Sequence, residues 1–341
     1  MTYRVGITND AIDEDGTSVH GDLVLPELEA AGIEWSVIDA HPETDDDLAD
    51  LDAVYSLGHR GFDASVLAAA PRLRHIARFG AGYDTIDLEA CSDAGVIVTN
   101  TPDAIRRPLA LAALTLVLAV THNLVQKHAI VVHDRWEDRG RWRGTATDGS
   151  TVAIVGFGSV GAELAGMLLG AGFRVIGVNR RGSSAEADRL GVPIVPLDEG
   201  LTADVVVLCA SLNASTTGMI GAAELAKMKP SAAIVNVGRG ALIDQGALTS
   251  ALQDGTIRAA GLDVFDPEPP APDDPLLALE NVTLAPHALC WTADYTRAVV
   301  ASANEAIITA SRGGVPATVL NPRALEHERW REGAAVSVAG R

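Results

Sequence analysis

Between Thr151 and Gly172 the chain reads TVAIVGFGSVGAELAGMLLGAG: a short apolar strand, a glycine turn and an amphipathic helix in unbroken succession. A bare GxGxxG carries little weight. Placed after a strand and at the start of a helix, it directs the segment to a dinucleotide-binding unit. Gly156 permits the tight turn, Gly158 lets the backbone approach a pyrophosphate, and Gly161 lets helix and strand pack closely. The phosphates then meet the positive helix end at Ser159 and Val160. A second apolar strand, Gly172 to Val178, follows one helix length later and favours a cofactor site over a structural turn.

The end of that second strand bears on cofactor choice. NAD-selective units place Asp or Glu about 20 residues beyond the glycines, where the carboxylate accepts hydrogen bonds from the adenosine ribose. Here the strand runs into Asn179, Arg180 and Arg181. A carboxylate repels a ribose phosphate, whereas a neutral Asn beside two guanidinium groups accommodates one. The segment therefore favours NADP(H), with NAD(H) still admitted. The alternative is a solvated cationic turn.

Strand-like and helix-like segments alternate along most of the 341 residues, enough chain for two α/β domains with parallel sheets. Residues 1 to 101 offer strands at Tyr3 to Thr8, Glu34 to Ile38, Ala53 to Leu57, His75 to Arg78 and Val96 to Thr99. After Pro102 a long helix opens a second series, with strands expected at Thr151, Phe173, Pro193, Asp204, Ala232, Gly261 and Val282. Pro108 is expected in that helix's first turn. The Pro-rich run from Asp266 to Pro275 reads as an ordered loop.

The formal net charge is -19, and Lys127, Lys227 and Lys229 are the only lysines. So acidic a surface argues against nucleic acid or an anionic membrane as partner. The chain opens without a signal-peptide pattern, and the apolar stretch Leu109 to Val120 is too short to span a bilayer. Cys91, Cys209 and Cys290 are too few and too scattered for a disulfide framework or a metal site. These features together lead us to expect a cytoplasmic protein without a metal.

Three more segments each put a polar residue just past an apolar strand: Arg239 after IVNV, Glu268 after GLDVFDP and His287 after LAP. Carboxyl ends of parallel strands are where open α/β sheets bind ligands. An Arg, a Glu and a His are thus expected at one crevice. Gly238 and Gly240 beside Arg239 imply a close backbone approach.

From about Gly80 to His287 the sequence strongly resembles the D-isomer-specific 2-hydroxyacid dehydrogenase family. The resemblance rests on GAGYDTID from Gly80, VTNTP from Val98, the glycine fingerprint, MKP from Met228, VNVGRGALID from Val235, LDVF from Leu262, Glu268-Pro269 and Pro286-His287. It implies two Rossmann-like domains with parallel sheets and a substrate cleft between them: residues 1–101 plus 291–341 as a flavodoxin-like substrate domain, and 102–290 as the dinucleotide-binding domain. The chain from Trp291 then returns to the first domain.

Carried over residue by residue, Arg239 matches the family's substrate-binding Arg, Glu268 its acidic partner and His287 its general acid/base. Ketone reduction builds negative charge on the carbonyl oxygen, so a protonated imidazole must deliver a proton there. A carboxylate on the other ring nitrogen fixes the tautomer and favours the charged form. An Arg holds the substrate carboxylate in a fork and polarises the ketone. The resemblance further places Cys209, Ala210, Ser211 and Thr216 along the adenosine and pyrophosphate, and Val237, Gly238 and Asp263 against the cofactor, with Asp263 at the nicotinamide carboxamide. It gives the backbone N–H groups of Ala81, Gly82 and Tyr83 to the substrate carboxylate. Asp263 as a strand-end cap and Cys209 as a core thiol are open alternatives.

The resemblance implies a small 2-keto or 2-hydroxy acid substrate and a homodimer formed through the Leu109 helix and the Arg135 to Trp142 arm. The pattern departs from the family where a Glu-His pair usually opens the long helix and Arg106, Arg107 and Pro108 stand here. Arg106 and Arg107 then either meet an extra anionic group or form a solvated turn. Ala210 and Ser211 replace a frequent His or Pro, and Trp291 follows His287 where small residues are usual, either capping the pocket or packing. The long regulated phosphoglycerate dehydrogenases are disfavoured by length. Two other functions are open: oxidation of a small anion such as phosphite, and a redox-gated NAD(H)-binding corepressor. Formate dehydrogenases carry Gln at the position of Glu268, which argues against that branch.

Overall fold

A computed structural model describes residues 2–11, 18, 21–56, 58 and 60–330. The chain divides into two compact units, one drawn from Met1–Ile105 and Trp291–Arg341, the other from Arg106–Cys290.

In the first unit, β1 (Tyr3–Thr8), β2 (Ile33–Ile38), β3 (Ala53–Ser56), β4 (His75–Arg78) and β5 (Ile97–Thr99) form a parallel sheet in the order β2-β1-β3-β4-β5. That is the flavodoxin-like order. Leu57, expected to close the third strand, lies outside the described residues, as do residues 331–341 of the expected first domain. The helix Ala293–Ser311 packs on β4 and on the helix Leu25–Ala30. Its first turn is capped by the Thr292 hydroxyl, which accepts from the Tyr295 N–H at 3.2 Å.

The second unit holds β6 (Thr151–Val155), β7 (Arg174–Val178), β8 (Val205–Leu208), β9 (Ala233–Asn236), β10 (Ala259–Leu262) and β11 (Val282–Leu284) in the parallel order β11-β10-β9-β8-β6-β7. Its strands are apolar without alternation because both faces are covered. Ala153, Val155, Val206, Leu208 and Ile234 enter one core layer. Their neighbours Val152, Ile154, Val205, Val207 and Val235 enter the other.

Pro193 does not begin a strand. Ile194 makes a single parallel bridge to Gly177 at the edge of β7, where Gly177 donates to the Pro193 carbonyl and Val195 donates to the Gly177 carbonyl. Pro193 and Pro196 have no N–H to give, so the ladder stops there. Counting this bridge as a vestigial strand restores the doubly wound order, with its reversal between β6 and β8.

The long helix spans Pro102–His122, and Pro108 lies inside it instead of in its first turn. Proline lacks the N–H that would bond the Ala104 carbonyl, but its fixed φ is helical. This 21-residue helix holds an 18-residue stretch of mean hydropathy 1.6 and is long and apolar enough to cross a membrane by length and composition alone, unlike the shorter stretch expected from the sequence. Its Ala110, Ala113, Leu116, Val117 and Val120 are buried in the core layer shared with β6 and β8, which accounts for the apolar character.

The excess of 45 acidic over 26 basic side chains makes the folded chain repel itself. Salt shortens the reach of that repulsion. Raising KCl from about 0.1 M to about 2 M is expected to raise Tm by about 5 °C or more. Thermal melts at several salt concentrations check this, and a flat or falling Tm would contradict it.

Candidate active site

The glycine turn sits where the strand order of the second sheet reverses. Gly156 adopts φ 95°, and a side chain there would run into the backbone of Cys209 and Ala210 after β8. A Cβ on Gly161 would meet the Gly156 carbonyl at 2.8 Å and Ile154 at 3.1 Å, so this glycine sets the helix against the strand. A Cβ on Gly158 would meet nothing within 4 Å. The turn is therefore tight on the protein side and open at Gly158, ahead of the N-terminus of the helix Ser159–Gly170, as a diphosphate cradle requires.

A cavity of about 1320 Å³ opens over this turn. Gly156, Gly158, Ser159, Asn179, Arg180, Arg181, Ala210, Ser211 and Thr216 line it, as do Arg106 and Glu163. Val160, Gly161, Cys209, Val237, Gly238 and Asp263 lie outside its lining. Val237 is buried and Val160 and Cys209 pack against the same core layer. Burial pushes the thiol of half-buried Cys209 up to about 12. The Thr216 hydroxyl donates to the Ser211 carbonyl at 2.8 Å and accepts from the Asn213 N–H at 2.8 Å, closing the loop after β8.

At the end of β7 the Asn179 side-chain amide donates to the Ser183 carbonyl at 2.9 Å. Its Oδ1 is buried without a hydrogen-bond partner. Asn179 thus braces the turn that carries Arg180 and Arg181, both exposed and both facing the cavity.

At the other side of the sheet, neighbouring strands β9, β10 and β11 deliver Arg239, Glu268 and His287. Asn236, closing β9, spends both ends of its amide on the next loop: Oδ1 accepts from Gly238 N–H at 3.0 Å and Nδ2 donates to the Arg239 carbonyl at 2.8 Å. Gly240 lies against the Phe265 carbonyl, where any Cβ would overlap it. The close approach anticipated here is thus, at Gly240, to the loop carrying Glu268, whereas Gly238 lies against the Ala210 carbonyl and Leu242. Gln245 ties that loop down, donating to Asp274 at 2.6 Å and accepting from the Asp266 N–H at 3.1 Å.

His287 Nδ1 lies 2.8 Å from Glu268 Oε2, and Glu268 Oε1 accepts from the Phe265 N–H at 2.8 Å. Burial pushes the Glu268 carboxyl up, but the His287 hydrogen bond and charge, the Phe265 N–H and the Arg239 charge together hold it below the usual range. Glu268 is therefore ionised at neutral pH, so His287 Nδ1 carries the proton between them. Nε2 is the ring nitrogen left for chemistry. The imidazole is 45% exposed, accessible to a small molecule.

His287 adopts φ 55°, a left-handed conformation rare for a residue with a side chain. Asp263, 1% exposed at the end of β10, holds it there. Its Oδ1 accepts from the N–H groups of Ala288 at 3.0 Å and Leu289 at 3.3 Å. Burial raises the Asp263 pKa, against the pull of those two N–H groups. Of the two roles considered for Asp263, the strand-end brace is visible. Asn236 and Gln245 escaped the sequence reading, although an Asn closing a strand just before a Gly-rich loop signals such a brace.

The loop after β4 belongs to the first unit. Gly80 has φ 103°, and the Asn100 amide donates to the Ala81 carbonyl at 2.9 Å. Among the described residues, no backbone acceptor takes the N–H groups of Ala81, Gly82 and Tyr83.

The family model for the D-isomer specific 2-hydroxyacid dehydrogenase NAD binding domain matches residues 114–288. A glyoxylate reductase of Korarchaeum cryptofilum is 37% identical, over 81% of this chain and 85% of its own. The glyoxylate reductase of Thermococcus onnurineus is 38% identical, over 81% and 84%. The solved structure of the NADPH-dependent glyoxylate/hydroxypyruvate reductase of Sinorhizobium meliloti, in complex with NADP and malonate, superposes with a TM-score of 0.82 at 28% identity, covering 95% of this chain and 98% of that one. The chain belongs to the D-isomer-specific 2-hydroxyacid dehydrogenase family and is a nicotinamide-dependent oxidoreductase that moves a hydride to or from a 2-keto or 2-hydroxy acid.

Proposed function

We propose that this protein is an NADPH-preferring reductase of small 2-keto acids. The observation that carries the reading is the 2.8 Å pairing of His287 with ionised Glu268 on neighbouring strand ends, with Nε2 directed away from the carboxylate. The nicotinamide, when bound, supplies the hydride. Gly158, Ser159, Ala210, Ser211 and Thr216 hold the dinucleotide in the cavity they line. Arg239 binds the substrate carboxylate and draws electron density from the ketone. His287 Nε2 delivers a proton to the ketone oxygen, while Glu268 keeps Nδ1 protonated and the ring oriented.

Arg180 and Arg181 support the NADPH preference. Neither has an ion-pair partner among the described side chains, and both line the cavity beside Ser183 and Ser184. Losing a charge-assisted contact to a ribose phosphate costs about 1.5 to 3 kcal/mol, or about tenfold to a hundredfold. NADPH is accordingly expected to give a kcat/KM about tenfold or more above NADH with the same keto acid. Asn179→Asp, which removes the brace to Ser183 and adds a repelling carboxylate, is expected to swing the preference to NADH. Wild-type preference for NADH in steady-state assays would refute the assignment.

The glyoxylate reductases among the relatives support glyoxylate or hydroxypyruvate as substrates. Unpaired thiols at Cys91, Cys209 and Cys290 support a reducing cytoplasm. Exposed Leu111 on the long helix and exposed Trp136 in the Arg135 to Trp142 arm support the homodimer expected through those two segments. The net charge supports the absence of nucleic-acid and membrane partners.

A further inference from the structure

Residues 265–270 read FDPEPP, so Glu268 sits between prolines and three of the six residues have no N–H to give. A segment so poor in donors cannot brace itself through its own backbone. Of the N–H groups that remain, that of Phe265 goes to Glu268 Oε1 at 2.8 Å and that of Asp266 goes to Gln245 Oε1 at 3.1 Å. The peptide joining Phe265 to Asp266 is therefore held at both ends, its carbonyl against Gly240 and its N–H on Gln245. Gln245 can do this only while its amide faces one way. Its Nε2 donates to Asp274 Oδ2 at 2.6 Å, and Asp274 Oδ1 accepts from the N–H of fully buried Leu276 at 2.8 Å. With both Asp274 oxygens accepting, Nε2 is fixed on Asp274 and Oε1 on Asp266.

We infer that Gln245 is a positioning residue for the proton transfer, with Asp274 as the group that orients it. The inference rests on the reading of Glu268 and His287 as the acid/base pair. Gln245 acts through the loop: by fixing the peptide after Phe265 it keeps the Phe265 N–H on Glu268 Oε1, which leaves Oε2 at 2.8 Å from His287 Nδ1. Without Gln245 the carboxylate drifts from the ring, and the imidazolium loses its counter-charge.

Steady-state keto-acid reduction by full-length variants from about pH 5 to about pH 9, beside NADPH fluorescence titration and thermal melts, tests this. Gln245→Ala is expected to lower kcat about threefold to tenfold and to move the alkaline fall of the rate down by about 0.5 pH unit or more, with NADPH affinity within about twofold of wild type. In a Glu268→Gln background the same change adds no further shift, because the charge it positions is gone. Exchanging the two groups tests for a merely structural role. Gln245→Glu alone sets two carboxylates across the 2.6 Å contact, and Asp274→Asn alone sets NH2 against NH2, so each is expected to repeat the alanine effect. Together they restore the hydrogen bonds with carboxylate and amide exchanged, and kcat is expected to return to within about twofold of wild type with the wild-type pH profile. This pair decides the matter should Gln245→Ala not fold. A folded Gln245→Ala with the wild-type pH profile, a shift that adds in full to that of Glu268→Gln, or an exchanged pair as impaired as its single changes overturns the inference. A Glu268→Gln profile equal to wild type strikes the acid/base reading itself, so the two fail separately.

Discussion

Replacing His287 with alanine is expected to reduce turnover of keto-acid reduction by about 100-fold or more, because the group that protonates the nascent alkoxide is gone. Cofactor affinity is expected to stay within about twofold, since His287 lies outside the cavity over the glycine turn. A companion variant, Glu268→Gln, isolates the carboxylate. Glu268 is held below its ordinary range in the folded protein, so its negative charge beside His287 is present at neutral pH and is lost as pH falls through that lowered value. Glutamine keeps an acceptor for Nδ1 and removes the charge. Reduction by Glu268→Gln is then expected to fall away at lower pH than in wild type, because the imidazolium has lost its counter-charge. Steady-state rates from about pH 5 to about pH 9, beside NADPH fluorescence titration, measure both variants. A largely active His287→Ala, or a Glu268→Gln profile matching wild type, would remove the acid/base assignment and leave the cofactor site standing.

Arg239→Lys is expected to keep the fold and lose the substrate: KM for the keto acid rises about tenfold or more and kcat falls with it. The loop is shaped chiefly by backbone and by Asn236, whose amide bonds to Gly238 and the Arg239 carbonyl do not involve the guanidinium, although Arg239 itself also donates to the Gly238 carbonyl at 2.8 Å. Lysine retains one charge but cannot place two parallel N–H groups on a carboxylate or reach the ketone oxygen at the same time. Circular dichroism and NADPH titration establish that the variant is folded, and near-normal kinetics would show that the substrate is held elsewhere.

The parts of this molecule legible in its sequence are those whose causes are local. The turn from Gly156 to Gly161 is such a case in part: Gly161 answers to Gly156 and Ile154 beside it, whereas Gly156 answers to Cys209 and Ala210 in the loop after β8. The placing of Arg239, Glu268 and His287 was legible because parallel strands end on one edge, so three polar residues past three apolar runs converge without knowledge of the packing. What escaped depends on partners distant in sequence. The two glycines around Arg239 announced a close approach, but only the folded chain shows it to be to the Ala210 carbonyl for Gly238 and to the Phe265 carbonyl for Gly240. The left-handed turn at His287 is imposed by Asp263, 24 positions earlier in a separate strand, and no local pattern around Pro286 encodes it. Ile194 is apolar enough for a strand, but flanking prolines limit it to one bridge.

The most direct test of the central claim is the consumption of NADPH by the purified protein with a panel of small 2-keto acids, glyoxylate and hydroxypyruvate included, and analysis of the stereochemistry of chiral products. The account predicts keto-acid-dependent oxidation of NADPH, faster than of NADH, with D-2-hydroxy acids as products. A protein that binds NADPH tightly but consumes it with none of these acids, or that instead reduces NADP+ with phosphite, would contradict it.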